Sequence, residues 1–341
     1  MRDLKKNKKS LFETSKPSKY RQKISKNLNL LVDEFLDNNP KFEEFHCPFC
    51  NSDKSNKYFA LQDMIYLRCL DCHSIYNSPR PTLQSLNDFY ELQPAEVVDN
   101  EMLPTVKEFR VEKIMKPRWK LLQNRLKKNG IKLPVETIME VGAGIGHFIE
   151  VMQSTNAANK YVAVEPAKAC EDLLKKLERT EVLCCNLESV SPSNFETIDL
   201  LFLNSVIEHP HSLDIFFQSA RKLLKIGGVL SLVDMHSGGM DIELLRGDAQ
   251  NVNPFFILQI GSIEGIKKLF QRNGFKFIDV FSIGEMDVDI IYEYSSQLDV
   301  NHPLFGLSHF LSNESIRDDL QELLKKHLAT GYNGFLFERV K

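Results

Sequence analysis

Ile138-Met-Glu-Val-Gly-Ala-Gly-Ile-Gly-His-Phe148 is the stretch of sequence that decides the fold. The apolar run Thr137–Val141 predicts a short buried strand. Three glycines follow at alternate positions, Gly142, Gly144 and Gly146, and a helical pattern begins after them. Glycine adopts positive φ and lets a ligand approach the backbone, and a helix N-terminus offers unpaired N–H groups. The stretch therefore predicts a strand, a tight turn and a helix that together hold a nucleotide-like ligand.

An acidic residue, Glu140, precedes the first glycine, so the pattern reads Glu-x-Gly-x-Gly-x-Gly. The dinucleotide-binding fingerprint has a different spacing, G-x-G-x-x-G. A carboxylate at Glu140 would repel a pyrophosphate, whereas it suits a cationic ligand. The stretch resembles motif I of the class I S-adenosylmethionine-dependent methyltransferases, whose cofactor carries an ammonium and a sulfonium and no phosphate. An ordinary strand-to-helix turn is the alternative interpretation of one glycine-rich turn.

Strands and helices alternate from residue 137 onward. Apolar runs predict strands at 137–141, 160–165, 181–185, 198–203, 227–235, 275–282 and 334–340. Helical spacing predicts helices at about 146–154, 167–179, 212–225 and 262–273. Such alternation implies an α/β fold, with a mostly parallel sheet and helices on both faces. The resemblance implies the seven-stranded, doubly wound, Rossmann-like sheet of the methyltransferases.

Polar residues follow the second and third predicted strands, where a doubly wound sheet binds its ligands. Glu165 follows the second strand, and its carboxylate can accept hydrogen bonds from both hydroxyls of a ribose. The resemblance implies that Asn186 and the backbone N–H of Leu187, after the third strand, contact adenine. Aspartate is the more usual residue at the position of Asn186, and a strand-end residue without a ligand is the alternative. The adjacent Cys184 and Cys185 are predicted to be core thiols.

Asn204-Ser-Val-Ile-Glu-His-Pro210 follows the fourth strand and resembles the region after the cofactor motifs of the same family. The resemblance places Asn204 beside the sulfonium of the cofactor, and Glu208 and His209 where a substrate faces the methyl group. His209 is a candidate general base, because imidazole titrates near neutrality. The alternative is that Glu208 and His209 only fix the loop and shape the pocket. His211 and His236 are weaker candidates.

Four cysteines form a second motif, Cys47-x2-Cys50 and Cys69-x2-Cys72. Two such pairs can present four thiolates to one tetrahedral zinc ion, and their separation is typical of a zinc ribbon. Strands at Tyr58–Leu61 and Ile65–Arg68 are predicted between the pairs. A four-thiolate site has no open coordination position, so the zinc is expected to be structural. The alternative is a site without metal. His46 and His73 flank the motif and are not needed as ligands.

Four regions are expected along the chain. Residues 1–40 form a basic tail and a short helix (Leu28–Leu36), 41–80 the zinc ribbon, 81–130 a helical cap, and 131–341 the S-adenosylmethionine-binding domain. Residues 1–27 are rich in Lys, Ser and Asn, which favours a flexible tail over a nucleic-acid-binding arm. Thr82 is a predicted helix cap, Pro117 a predicted kink, Asn129-Gly130 a predicted helix end, and 94–104 a predicted loop. The insertion 237–261, which includes Pro254-Phe-Phe-Ile-Leu, is expected to cover the substrate pocket or to serve as an anchored loop.

The composition narrows the class of protein, but it does not identify a substrate. The 341 residues are 43% hydrophobic and 26% charged, with a formal net charge of −3. These values are typical of a globular protein and give no overall bias toward nucleic acid or membranes. No apolar run reaches the ~18 residues that span a bilayer, and no signal peptide is recognisable. We therefore expect a cytoplasmic protein. The sequence does not indicate its oligomeric state.

The most specific resemblance is to zinc-ribbon methyltransferases of sugar, surface-polysaccharide or secondary-metabolite pathways. Gly284-Glu-Met-Asp-Val-Asp-Ile-Ile291 is similar to a segment of that branch. The resemblance implies O- or C-methylation of a small molecule, namely a sugar, which can be nucleotide-linked, or a polysaccharide precursor. An RNA-directed methyltransferase and a non-catalytic cofactor-binding scaffold are the alternatives. The Asn/Asp-Pro-Pro-Tyr motif of amino-directed nucleic-acid methyltransferases is missing, and the ribbon lacks a basic stripe, so a nucleic-acid partner is not expected.

Overall fold

Two helices open the part of the chain that the computed structural model describes, namely residues 10–92, 103–191, 198–249, 252–253 and 255–340. They are α1 (Leu11–Ser15) and α2 (Ser18–Asp37). Their buried apolar side chains are Phe12, Leu28, Val32 and Phe35. The prediction of a flexible tail is therefore wrong for residues 10–27, and residues 1–9 lie outside the described residues. The predicted short helix is the second half of α2.

Five short strands follow. They are β1 (Phe42–Glu43), β2 (Ser55–Leu61), β3 (Met64–Cys69), β4 (Ile75–Asn77) and β5 (Arg80–Pro81). β2, β3 and β4 pair in antiparallel order, and β1 pairs with β5. The hairpin predicted between the two cysteine pairs is confirmed by β2 and β3.

A helical segment separates this region from the main sheet. It comprises α3 (Leu83–Glu91), α4 (Leu103–Arg110), a π-helical turn (Val111–Met115) and α5 (Lys116–Lys128). Thr82 caps α3 through a hydrogen bond from the Ser85 N–H, as predicted. Pro117 is the second residue of α5, but the residues before it are helical too, so its missing N–H falls within a continuous helical run, directly after the π-helical turn. Most of the predicted loop 94–104 lies outside the described residues.

The remaining elements build the main sheet and its covering helices, except β11, which joins the small sheet of β2 to β4. They are β6 (Val135–Val141), α6 (His147–Ser154), β7 (Ala158–Val164), α7 (Glu171–Leu174), β8 (Thr180–Leu183), β9 (Ile198–Asn204), α8 (Leu213–Leu223), β10 (Leu224–Met235), α9 (Met240–Leu245), β11 (Gln259–Ile260), α10 (Ile263–Arg272), β12 (Phe275–Ser282), α11 (Asp287–Ser295), α12 (Phe305–Phe310), α13 (Glu314–Lys326) and β13 (Tyr332–Arg339). The helix predicted at 167–179 is shorter, a 3₁₀ turn (Lys168–Cys170) followed by α7. Within the described ranges, no helix is long and apolar enough to cross a membrane.

The main sheet has seven strands in the order β12-β13-β10-β9-β6-β7-β8. β13 is antiparallel to both of its neighbours, whereas β6 to β10 run parallel. Successive residues of β6 face opposite sides, so Met139 packs with the core beneath α8 and α10, and Ile138 with the core beneath α5 and α6. The predicted doubly wound sheet is confirmed.

The strand order reverses between β6 and β9. From β6 the chain proceeds to β7 and β8 on one side, and then returns to β9 and β10 on the other. Crossovers diverge at such a point and leave a crevice at the carboxyl ends of the strands. The glycine turn after β6 and the Asn204–Pro210 turn after β9 therefore lie next to each other.

Candidate functional site

The glycine turn adopts a backbone that only glycine accepts easily. Gly142, Gly144 and Gly146 have φ values of +70°, +52° and +83°. A Cβ on Gly142 would lie 2.8 Å from Val206 Cγ2, and one on Gly146 would lie 2.5 Å from Leu177 Cδ1. Beside Gly144, in contrast, no atom of the described residues lies within 4 Å of the added carbon. The turn thus packs tightly at both ends and is open in the middle.

Glu165 braces the open middle of this turn. Its two carboxylate oxygens accept hydrogen bonds from the backbone N–H groups of Gly144, at 2.8 Å, and Ala167, at 2.9 Å. A carboxylate has about four acceptor positions. Glu165 can therefore keep both backbone contacts and still accept hydrogen bonds from a ligand over Gly144.

Glu140 lies under the turn and is only 3% exposed. Its Oε2 has no hydrogen-bond partner among the described residues. Burial, together with the charge of Glu165, raises the pKa of the Glu140 carboxyl well above its usual value. A cation at this place would favour the carboxylate, so the environment of Glu140 fits a positively charged ligand.

The residues after β8 are placed at the rim of the crevice. Asn186 is exposed and its backbone carbonyl accepts a hydrogen bond from the Ser189 N–H, whereas Leu187 is buried. The contacts of Asn186 and Leu187 with adenine stay a prediction. Cys184 is exposed and Cys185 half-buried. The prediction of a core thiol is wrong for Cys184, because β8 ends at Leu183 and the chain has left the sheet, whereas Cys185 packs against the edge of the core.

The Asn204–Pro210 turn is fixed by a residue that sequence reasoning missed. The Asp234 carboxylate at the end of β10 accepts hydrogen bonds from three backbone N–H groups, those of Val206 at 3.1 Å, Ile207 at 3.0 Å and Met235 at 2.7 Å. Ser205 is held at a φ of +56°, which a non-glycine residue seldom adopts. Asp234 could have been recognised in the sequence as an acidic residue within a largely apolar strand.

Glu208 points into the protein beneath the turn. Its side chain is buried, and it shares a hydrogen bond with Asp234. Burial raises the pKa of both carboxyls. Because a hydrogen bond between two carboxyls requires a proton, the pair carries a shared proton. This arrangement makes Glu208 a bracing group.

His209 has a different environment, although it is the next residue. Its Nδ1 lies 2.8 Å from the Phe256 carbonyl oxygen, which can only accept, so Nδ1 carries the hydrogen and Nε2 has the free lone pair. Nε2 lies 3.8 Å from Glu208 Oε1, and the side chain is 38% exposed. Burial lowers the pKa of His209. The ring is therefore neutral near pH 7 and can accept a proton at Nε2.

Asn204 is aimed into the same space. Its Oδ1 is enclosed, and no donor of the described residues reaches it. Asn204 and His209 both line a cavity of about 1100 Å³. Neither His211 nor His236 lines this cavity. His211 Nε2 lies 3.1 Å from Glu43 Oε1, and burial lowers the pKa of His236 to about 4.

The insertion 237–261 is both an anchored loop and part of the cavity wall. Phe255 and Leu258 are buried, and the Leu258 N–H donates to the Glu208 carbonyl oxygen at 2.9 Å. The Gln259 amide donates to the carbonyl oxygens of Ile207 and Pro210. Val252 and Ile257 line the cavity. Pro254 lies outside the described residues.

The four cysteines come together as the sequence predicts. The sulfur atoms of Cys47, Cys50, Cys69 and Cys72 all lie within 4.8 Å of one another. Tetrahedral zinc thiolates have Zn–S bonds of about 2.3 Å, which places the sulfurs about 3.8 Å apart. The two cysteine pairs end in the same type of backbone turn. Asn51 follows the first pair at a φ of +60°, and His73 follows the second pair at a φ of +63°. The donor set and its geometry fit a zinc ion.

The cysteine cluster is joined to the cavity through the small sheet. β4 pairs with β11 of the insertion, and the Ser262 hydroxyl donates to the Cys72 carbonyl oxygen. Arg80 is buried and donates to Gln259 Oε1 at 2.9 Å. Gln259 in turn holds the Asn204–Pro210 turn, so the cluster and His209 belong to one packed unit.

Comparisons with known proteins show what this chain is similar to. The model of a family described as a methyltransferase domain matches residues 108–280. Among solved structures, a phosphoethanolamine N-methyltransferase 2 of Haemonchus contortus is similar (18% identity, 78% of this chain and 63% of that chain, TM-score 0.47). A geranyl diphosphate C-methyltransferase of Streptomyces coelicolor is also similar (13% identity, 72% and 85%, TM-score 0.43). A search of curated proteins gives no match.

Proposed function

Because this chain belongs to the methyltransferase-domain family and is a class I S-adenosylmethionine-dependent methyltransferase, we propose that it methylates a small polar molecule held in the cavity beside His209. The observation that carries this proposal is the meeting of the open glycine turn, Glu165, Asn204 and His209 around the carboxyl ends of β6, β7 and β9.

We assign the cofactor cradle to the residues of this crevice. Gly142, Gly144 and Gly146 leave room for the cofactor, Glu140 holds its ammonium, Glu165 its ribose hydroxyls, Asn186 and Leu187 its adenine, and Asn204 the region of its sulfonium. The open space over Gly144 and the unpaired, buried oxygen of Glu140 support the assignment. S-adenosylmethionine, when bound, supplies a methyl group on a good leaving group.

His209 is the proposed general base. Its neutral ring and free Nε2 lone pair suit removal of a proton from an acceptor hydroxyl or an acidic C–H group. Glu208 and Asp234 act on His209 by fixing the turn that carries it. Of the two roles considered for Glu208 and His209, we thus propose the catalytic one for His209 and the bracing one for Glu208.

We propose a sugar-type acceptor and a structural zinc ion. The acceptor follows from the resemblance to zinc-ribbon sugar methyltransferases, and the polar side chains of the cavity support it. The zinc ion would be held by Cys47, Cys50, Cys69 and Cys72, and their four thiolates leave no position for a substrate.

Calorimetry and methyl transfer test this proposal. Glu165→Ala should weaken S-adenosylmethionine binding by about tenfold or more, because charge-assisted hydrogen bonds contribute ~1.5–3 kcal/mol. Glu136→Ala, at the exposed opposite end of β6, is the matched control and should bind normally. Unchanged affinity in Glu165→Ala would refute the cradle.

The second arm follows tritiated methyl transfer into a panel of nucleotide sugars and into cell extract. His209→Gln should lower kcat by roughly 10²–10⁴-fold without changing cofactor affinity. If no sugar in the panel accepts the label and another class of molecule in the extract does, the sugar assignment is wrong.

A further inference from the structure

One buried arginine connects β4 with the Asn204–Pro210 turn. Arg80 lies in β5, and its side chain is fully enclosed. Its Nη1 donates to Gln259 Oε1 at 2.9 Å and to the His211 carbonyl oxygen at 3.1 Å, and its Nε donates to the Asn77 carbonyl oxygen at 3.2 Å. A single rigid guanidinium therefore contacts β4, β11 and the residue that follows the turn.

The positive charge of Arg80 is held by neutral groups. The hydrogen-bond acceptors described above are two backbone carbonyl oxygens and one side-chain amide oxygen. The centroid of the Phe45 ring lies 4.2 Å from the guanidinium carbon. Burial lowers the pKa of Arg80 to about 10, which leaves the group charged near pH 7. The planar guanidinium thus sets the positions of its acceptors through directional hydrogen bonds.

Arg80 fixes the direction in which the amide of Gln259 points. A guanidinium only donates hydrogen bonds, so the atom of Gln259 that faces it is the oxygen. The amide nitrogen is then turned to the other side, where it donates to the carbonyl oxygens of Ile207 and Pro210, at 2.9 Å each. These two carbonyls lie on either side of Glu208-His209 in the chain. Loss of Arg80 would remove the donor of a buried amide oxygen, which favours a different position of the Gln259 side chain.

Residues 256–259 also orient the imidazole of His209. The Phe256 carbonyl oxygen accepts the hydrogen of His209 Nδ1, at 2.8 Å. Two residues further on, the Leu258 carbonyl oxygen accepts a hydrogen bond from the Asn77 N–H of β4, also at 2.8 Å. The segment is bonded to the turn on one side and to β4 on the other, so a displacement on the β4 side moves the acceptor of His209.

We infer that Arg80 is a positioning residue for His209, and that Gln259 and residues 256–259 transmit its effect. With the hydrogen on Nδ1, the imidazole presents the Nε2 lone pair to the cavity. When the segment moves, the hydrogen can shift to Nε2, and that nitrogen then no longer accepts a proton. The inference rests on the proposed function for the role of His209 as a base, but not for the tautomer of its ring.

Nitrogen NMR of the full chain with labelled histidine tests the inference without cofactor or acceptor. His209→Gln identifies the signals of His209 by their loss. In the unaltered protein at pH 8 the Nδ1–H tautomer should dominate, whereas Arg80→Gln should raise the Nε2–H fraction severalfold. Arg68→Gln is the matched control, because Arg68 lies in β3 of the small sheet and pairs with Glu243 of α9 instead of the turn. It should leave the tautomer as it is.

Methyl transfer provides the second measurement. Arg80→Gln should lower kcat by roughly 10- to 100-fold, because a small displacement of a catalytic group has an effect of this size. S-adenosylmethionine affinity and metal content should stay unchanged, which separates this effect from a loss of the cofactor site or of the cysteine cluster. Arg80→Lys keeps the charge but not the planar set of donors, so it should not restore kcat.

Three outcomes would overturn the inference: an unchanged tautomer in Arg80→Gln, an equal shift in Arg68→Gln, and full activity of Arg80→Lys. If Arg80→Gln does not fold by circular dichroism, Gln259→Glu replaces it. Its carboxylate still accepts from Arg80 but cannot donate to the turn, so the same tautomer shift is expected. Absence of methyl transfer in the unaltered protein would refute the proposed function, whereas the tautomer measurement would still decide the role of Arg80.

Discussion

Gly144 and Gly146 belong to the same turn, yet they should respond differently to an added methyl group. Both have positive φ, which costs alanine ~1 kcal/mol or more. A methyl group on Gly146 would collide with Leu177, whereas one on Gly144 enters open space. We expect Gly144→Ala to fold and to lose S-adenosylmethionine binding, and Gly146→Ala to lose additional stability. Urea unfolding and calorimetry measure the two effects.

A comparison among glycine-to-alanine variants separates the effect of the collision from that of backbone strain. Because alanine meets nearly the same backbone strain at Gly130 (φ +81°) and at Gly146 (φ +83°), a further loss of stability in Gly146→Ala relative to Gly130→Ala reports the collision. Gly130→Ala is a control outside the site, since its φ is +81° and no described atom lies within 4 Å of the added carbon. Normal cofactor affinity in a folded Gly144→Ala would contradict the role of the open space.

Single residues were predictable where a recognisable motif lies at a strand end, and were overlooked where their hydrogen bonds only hold another turn. Glu140, Glu165 and Asn204 lie at strand ends, so their grouping follows from the topology. Asp234 was overlooked, because its bonds go to backbone N–H groups of a turn that is remote in sequence.

The cysteine cluster allows a test at the scale of one element. Cys72→Ser removes one of four thiolates, and we expect metal content to fall and the β2–β4 sheet to lose its ordered structure. Structural zinc contributes ~10–16 kcal/mol in zinc-finger peptides, which is more than small sheets gain by packing. Mass spectrometry of the native protein and hydrogen exchange of residues 47–77 provide the measurements.

Cys184→Ser is the matched control for this experiment, because Cys184 is exposed and lies outside the cluster. It should retain both the metal and the exchange protection. Methyl transfer should also decline in Cys72→Ser, since β4 pairs with β11. The first residue of β11, Gln259, holds the Asn204–Pro210 turn through its side-chain amide. Metal-free protein with full protection of residues 47–77 would argue against a structural zinc ion.

At the scale of elements, the sequence predicted best where apolar periodicity was strong. The seven strands of the main sheet lie within a few residues of their predicted places. α2 was predicted only in its second half, because its first half presents mostly Lys, Arg, Gln and Ser, a composition shared by flexible tails and solvent-facing helices. The short helix after β7 was predicted too long, because apolar spacing at 173–177 continues past the turn that ends it.

The stability of the whole molecule should depend on a buried carboxyl pair that does not line the cavity. Asp241 in α9 lies beside Asp287 at the start of α11, and both are buried. Burial, and then the charge of Asp287, raise the pKa of Asp241 to about 8. The unfolded chain releases this proton near pH 4, but the folded chain keeps it, so the contribution of Asp241 to stability decreases as pH rises from about 4 to 8.

Asp241→Asn removes this dependence. As pH rises from 5 to 8, we expect the free energy of unfolding of the variant to increase relative to that of the unaltered protein by on the order of a few kcal/mol. The reason is that a shift of one pKa unit corresponds to ~1.4 kcal/mol. Urea unfolding at both pH values measures the gain. Asp172→Asn changes an exposed acid and should leave the pH dependence as it is. Parallel pH profiles of Asp241→Asn and the unaltered protein would show that Asp241 is ionised in the folded state.

The pairing of β4 with β11 has a consequence for biosynthesis. Residues 75–77 leave the ribosome long before residues 259–260, so the outer edge of β4 stays unpaired during the intervening synthesis. At ~5–20 residues per second this interval is on the order of ten seconds or more. An open strand edge invites pairing with other nascent chains. The proposed metal site of the small sheet can therefore assemble early, but the sheet acquires its last strand only when most of the main sheet has been translated.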